Sequence, residues 1–104
     1  MNLTSDFESG RLTLYFSGEL DHHQARDLMR QINDVLDELL PRECVVDLSS
    51  LRFMDSSGIA VIVRLSQRMK ELGGRLWLEK PLGQPKRVIE TAGIDRLAPV
   101  AITR

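Results

Sequence analysis

A single cysteine in 104 residues removes a disulfide scaffold from the ways this chain can be held together. Cys44 sits in the apolar run Cys44-Val45-Val46, has no partner for an internal bridge, and reads as a buried thiol in a reducing compartment. Charge of one sign is equally scarce. The formal net charge is −1, which excludes the basic surface of a nucleic-acid-binding domain. No apolar run approaches the roughly 20 residues that cross a bilayer. The opening Met1-Asn2-Leu3-Thr4-Ser5-Asp6 lacks the basic-then-apolar order of a secretory leader. No contact with nucleic acid or membrane is expected, and the cytoplasm is the expected location. Repeats, low-complexity tracts and linkers are also absent, so residues 1–104 are expected to form one domain. That length suffices for a core without metals or disulfides.

What is present alternates between strand and helix patterns. Leu3 to Glu8 and Arg11 to Ser17 flank a Ser9-Gly10 turn, and Leu12, Leu14 and Phe16 alternate with more polar neighbours, so a hairpin is expected. Ala25, Leu28, Met29, Ile32, Val35, Leu36 and Leu39 recur at helical spacing, with Asp21 as N-cap and Gln24 completing a capping-box pattern. Pro41 ends that helix, because the residue before a proline disfavours helical angles. Cys44 to Leu48 reads as a buried strand. A second helix runs from Ser57 to about Leu72, with Gly73 beyond its end. Ile59-Ala60-Val61-Ile62-Val63 is apolar on nearly every side, so its start is expected to be deeply buried. Leu76 to Leu78 forms another strand, Pro85 to Ala92 a shorter helix, and Pro99 to Ile102 a last strand. This order predicts an α/β fold with a mixed, mostly parallel sheet packed with helices.

In such a fold the segments after the parallel strands meet at one edge, where ligand sites concentrate. Those segments are Gly18 to His23, Ser49 to Ser57 and Lys80 to Pro85, and the first two hold the polar residues of interest. Asp55 or Ser56 caps the second helix and leaves Ser57 in its first turn, where unpaired N–H groups and the helix dipole favour an anion. A phosphate there carries about −1.5 to −2 charge. Set beside Asp21 and Asp55, it would repel a closely fitting partner without unfolding the domain. Gly58 is expected to keep the approach to the hydroxyl open.

Other chemistries find less support. Locally, an Asp-Ser-Ser run is most often a helix cap and nothing more. His22-His23 has no second His or Cys cluster to complete a metal site. Ser57, His22 and Asp21 suggest a hydrolytic triad, but no G-x-S-x-G elbow is present. Gly73, Gly74 and Gly83 lack phosphate-loop spacing.

Gly18-Glu19-Leu20-Asp21-His22-His23, Val46-Asp47-Leu48-Ser49 and Phe53-Met54-Asp55-Ser56-Ser57-Gly58-Ile59 together resemble the bacterial anti-sigma factor antagonists of the STAS class, closest to their sporulation branch. The resemblance runs from the first strand to Ala92-Gly93-Ile94. It implies a STAS fold and a non-enzymatic protein that works by partner switching. The unphosphorylated form would bind an anti-sigma factor and free the sigma factor. That anti-sigma factor would also be a serine kinase, using its own ATP to phosphorylate and release the antagonist, and a serine phosphatase would reset the switch. By position, the implied phosphoacceptor is Ser57, with Ser56 as backup. Asp21 matches the partner-binding surface, joined by His22, Ser49, Asp55, Ser56, Ser57 and Gly58, with Ser49 to Asp55 read as a contact loop. No catalytic residue, metal ligand or cofactor is implied for the chain itself. Rival expectations are a constitutive STAS subunit of a lipid-transport or membrane-associated complex, a stress-response antagonist, and a small hydrolase using Ser57. Sporulation-type members usually continue into a further helix, whereas this chain ends at Arg104, and the expectation is either an exposed sheet face or a naturally shorter member.

Overall fold

The first two strands, β1 (Asn2–Glu8) and β2 (Arg11–Leu20), form the expected hairpin. Its two-residue turn carries positive φ at both Ser9 and Gly10 (53° and 82°), the mirror-image turn whose twist suits paired strands. The chain then runs through α1 (His22–Leu39), β3 (Glu43–Met54), α2 (Ser56–Glu71), β4 (Arg75–Glu79), α3 (Gly83–Ala92), α4 (Ile94–Leu97) and β5 (Val100–Thr103). The computed structural model describes residues 1–97 and 100–103. Pro99, expected in the last strand, lies outside them.

Among the described residues the strands form one five-stranded sheet in the order β1-β2-β3-β4-β5. β1 is antiparallel to β2, and every later pair is parallel, giving the expected mixed sheet. Each parallel neighbour is reached through a helical crossover, and a steady march of right-handed crossovers keeps the helices on one face. The rows Leu12–Cys44–Leu76 and Leu14–Val46–Leu78 line that face and are buried beneath the helices. The opposite face carries Arg11, Glu43 and Arg75 in one row, Thr13, Val45 and Trp77 in the next, and Tyr15, Asp47 and Glu79 in a third. Arg11 pairs there with Glu43 at 3.9 Å and Glu79 at 3.7 Å, partly exposed contacts that contribute little stability.

α1 buries Leu28, Met29, Ile32 and Leu36, the centre of the stripe read from the sequence. Each such side chain contributes about 1.5–3 kcal/mol on leaving water. The helix ends with Leu40 in the left-handed region, ahead of Pro41. α2 ends in a Schellman arrangement: Gly73, at φ 73°, donates to the Lys70 carbonyl, and Gly74 donates to the Met69 carbonyl at 2.8 Å.

Several elements differ from expectation, beginning with β2, which runs past Ser17 to Leu20. β3 does not stop at Leu48 but continues to Met54, so Ser49 to Met54 is strand and not loop. Its pairing with β2 shifts register twice, between Tyr15 and Ser17 and between Gly18 and Glu19, with an extra β3 residue at each shift. Burial therefore falls on Leu48, Leu51 and Met54, at a spacing of three that conceals the strand's period of two. α3 begins at Gly83, two residues before Pro85, which still lies in the first turn where its missing N–H costs nothing. The short α4 had no periodic signal to reveal it.

Cys44 is fully buried, as expected, and burial pushes its thiol from an ordinary 9.0 up to about 12. A thiol reagent at pH 8 is expected to label the native protein about a thousandfold more slowly than the urea-unfolded chain, because the thiolate is that much rarer. The unfolded chain loses this proton first. The linked stability is therefore fully present below about pH 9 and is lost as pH rises toward 12, measurable as a falling urea midpoint.

Candidate functional site

β2 ends at Leu20 opposite Met54, the last residue of β3, and the Asp55 N–H donates to the Leu20 carbonyl at 3.2 Å. This contact places the starts of α1 and α2 side by side. Each helix is capped by an aspartate. Asp21 Oδ1 accepts from the N–H groups of His23 (3.0 Å) and Gln24 (3.2 Å), and Asp55 Oδ1 accepts from the N–H of Ser57 (2.8 Å). The capping box at Asp21 is only half made, since no bond returns from the Gln24 side chain among the described residues. Of the two caps proposed for α2, Asp55 performs the task and Ser56 begins the helix.

The two candidate serines face different grooves. Exposed Ser56 lines an apolar groove of about 440 Å³ with Ile59, Gln84, Val88 and Ala92, between α2 and α3. Half-buried Ser57 lines a groove of about 360 Å³ between α1 and α2, shared with His22, Arg26 and Arg64. Asp21 borders neither. It faces a third hollow of about 420 Å³ with Gly18, Glu19 and Arg52. Ser57 thus shares its groove with cationic side chains and not with Asp21, while the Asp55 carboxylate stays at the Ser57 N–H. Ala60, expected to be deeply buried, is exposed at the mouth of the same groove, because the first turns of α1 and α2 leave a hollow between them.

Two further expectations change. Gly58 is buried, and the side its missing side chain would occupy faces the core and not the approach to the hydroxyl. A Cβ at this position would stand 2.5 Å from Met54 Cε, 3.1 Å from Met54 Cβ and 3.2 Å from Leu20 Cδ2, so glycine here lets α2 sit on the ends of β2 and β3. Ser49 is exposed on β3, where its hydroxyl and N–H both donate to Asp47 Oδ1, at 2.6 and 2.9 Å. The Ser57, His22 and Asp21 triad does not assemble. Asp21 is committed to its cap, and among the described residues the His22 ring lies against the His23 ring, at 3.9 Å. Among the described residues no group of three His, Cys, Asp or Glu side chains is placed to hold a metal.

Gln84 was not expected. From the third edge segment its side chain spans the end of β3, donating to the Met54 carbonyl and accepting from the Met54 N–H, both at 2.9 Å. The amide thus replaces the neighbouring strand that Met54 lacks and holds the base of the Asp55 turn. Arg26 and Arg64 were also missed, although their helical spacing from His22 and Ser57 placed them on the same faces. Two large apolar side chains, Phe53 and Leu82, are 39% and 55% exposed at this edge. A hollow of about 720 Å³ lies at the opposite end of the sheet among Gly10, Arg11, Arg42, Gly73 and Arg75, away from the helix starts.

A family model described as STAS domain matches residues 2–103. The anti-sigma F factor antagonist of Paenibacillus polymyxa is 29% identical over 102 residues, covering 96% of this chain and 87% of that protein. The anti-sigma factor antagonist SpoIIAA in its unphosphorylated form aligns with a TM-score of 0.81 at 19% identity, over 99% of this chain and 89% of the other. The phosphorylated form of the Bacillus cell fate determinant SpoIIAA aligns with a TM-score of 0.73 at 19% identity, over 99% of this chain and 92% of the other. The likeness to these structures is one of fold.

Two substitutions test the local architecture. Gly58→Ala is expected to lower stability by about 1–2 kcal/mol, overpacking outweighing the better helix propensity. Gln84→Ala leaves two Met54 backbone groups unpaired and is expected to cost about 1–3 kcal/mol. Both read out as lower urea midpoints, and Gln84→Ala should also speed amide exchange at Met54.

Proposed function

The chain belongs to the STAS domain family, and from that premise we propose that it is an anti-sigma factor antagonist working by partner switching. The unphosphorylated protein binds an anti-sigma factor and so frees a sigma factor, in sporulation, the process of the branch it resembles. The bound anti-sigma factor is also a serine kinase, which transfers phosphate from its own ATP to Ser57 and is released. A serine phosphatase restores the binding form. The chain performs no catalysis, holds no cofactor, and works in the cytoplasm without contacting nucleic acid or membrane. No helix among the described residues is long and apolar enough to cross a bilayer.

The observation that carries this reading is the placement of Ser57. Its hydroxyl lies in the first turn of α2, half-buried between two helices at the edge where Asp21, His22, Asp55 and Ser56 also gather. A surface of this kind suits docking better than turnover, because no base is hydrogen-bonded to the serine among the described residues. Ser49 and the exposed Phe53 and Leu82 extend the contact area away from the serine. A phosphate brings about −1.5 to −2 charge and three acceptor oxygens into a contact surface shaped for a hydroxyl. Release requires no unfolding: rigid helix starts present either a neutral or a dianionic group.

The test is intact mass after incubation with ATP and the cognate anti-sigma kinase, for wild type, Ser57→Ala and Ser56→Ala. One added phosphate is expected in wild type and Ser56→Ala, and none in Ser57→Ala. Transfer that persists in Ser57→Ala moves the acceptor to the other groove at Ser56. No transfer from a verified active kinase replaces the switch with a constitutive binding module.

A further inference from the structure

The seam between α1 and α2 is built from matching helical stripes. On α1 it presents His22, Ala25, Arg26 and Met29, and on α2 Ser57, Ala60, Val61 and Arg64, each set at i, i+3, i+4 and i+7. Residues so spaced share one helix face. The small Ala25 and Ala60 leave the groove open between them.

The charges along this seam are unevenly satisfied. One turn beyond Arg64, Arg68 reaches across to α1, where it binds Asp37 Oδ1 at 2.7 Å and Asn33 Oδ1 at 3.2 Å. At the groove itself no acid stands opposite. Arg26 and Arg64 make no ion pair or side-chain hydrogen bond among the described residues, and the His22 ring lies against the neighbouring His23 ring. Two arginines from different helices thus line one small hollow without a counter-ion among the described residues, and the remaining polar side chains lining that hollow are His22 and Ser57. Helical side chains lean toward the N-terminus of their helix, so Arg64 leans up α2 toward Ser57 and Arg26 up α1 toward the same edge.

We propose that this groove is a phosphate clamp in cis, in which Arg26 and Arg64, assisted by His22, hold a phosphoryl group on Ser57 against the protein's own surface. The inference rests on Ser57 being the phosphorylated residue. Guanidinium groups suit the task, since their planar forks pair with phosphate oxygens. The dipole of α2 adds to the attraction, while the Asp21 and Asp55 carboxylates at the same edge oppose it, each already engaged by its own helix. Phosphorylation in this arrangement supplies the missing counter-charge of the seam. It also removes two free cations from the docking surface, so the surface changes by more than the phosphate's own charge.

The test uses protein carrying phosphoserine at position 57 by genetic encoding, so that no kinase is involved, and follows its second ionisation by phosphorus NMR. Groups sharing the groove with the phosphate are His22 and Arg26 from α1 and Arg64 from α2, with Asp55 capping the same helix and Asp21 in the neighbouring hollow at the same edge. In the otherwise wild-type protein the ionisation is expected at least about one pH unit below the ordinary value of about 6. Arg26→Gln with Arg64→Gln should return most of that displacement, and what remains measures the helix start. Arg30→Gln, at an exposed site outside the groove, should leave the titration unchanged. Equal values in the wild-type background and the double variant would overturn the clamp, as would an equal displacement by Arg30→Gln. Arg26 and Arg64 are exposed, so both variants are expected to fold, checked by an unchanged urea midpoint without phosphate. Because the phosphoserine is installed directly, failure of kinase transfer tests the switch separately from the clamp.

Discussion

The pairing of β2 with β3, carried past two bulges to Leu20 and Met54, is the constraint on which the rest of this molecule depends. It ends both strands at the same level, and the Asp55 N–H to Leu20 carbonyl bond locks the following turns together. Two helices then start side by side, each capped by an aspartate, although the caps are 34 residues apart in sequence (Asp21 and Asp55). Gly58 permits the close seating of α2 on this edge, and Gln84 completes the hydrogen bonding of the strand end. The site is thus supported from beneath by packing and from one side by an amide clamp. That makes it a rigid platform, suited to a charge switch that leaves the fold intact.

The bulges explain both the site's geometry and its poor visibility in the sequence. Each adds one residue to β3 and tilts the alternation, so that Leu48, Leu51 and Met54 point inward while Ser49, Ser50, Arg52 and Phe53 face out. A period of three has no place among regular strand or helix patterns, and the segment reads as a loop. Physically it is a strand with every interval stretched by an insertion. The extra length lets β3 reach beyond β4, which ends at Glu79 opposite Asp47. That leaves Met54 without a strand neighbour on the β4 side, the vacancy that Gln84 fills.

Electrostatics around Ser57 follow from helix faces and not from sequence neighbours. Asp21 and Asp55 dominate the local motifs, yet both spend an oxygen on their own helix N-termini. Arg26 and Arg64, four and seven residues into the stripes that begin at His22 and Ser57, share the groove with the hydroxyl. An acidic motif in the sequence therefore surrounds a serine whose closest shared hollow is basic.

Much was legible from the chain alone because it depends on local periodicity and local chemistry. The hairpin turn at Ser9-Gly10, the buried stripe of α1, the aspartate caps, the stop at Pro41 and the mixed sheet all rest on interactions within a few residues or on one repeating pattern. The motif from Phe53 to Gly58 likewise announced a helix start with an accessible serine. Only the tertiary structure decided which groove each serine faces, that Gly58 points into the core, and that Gln84 and the two arginines belong to the site. Those facts depend on register between strands and on the facing of separate helices. Both are set by the simultaneous packing of segments distant in sequence, and no local pattern records how one helix face is turned toward another.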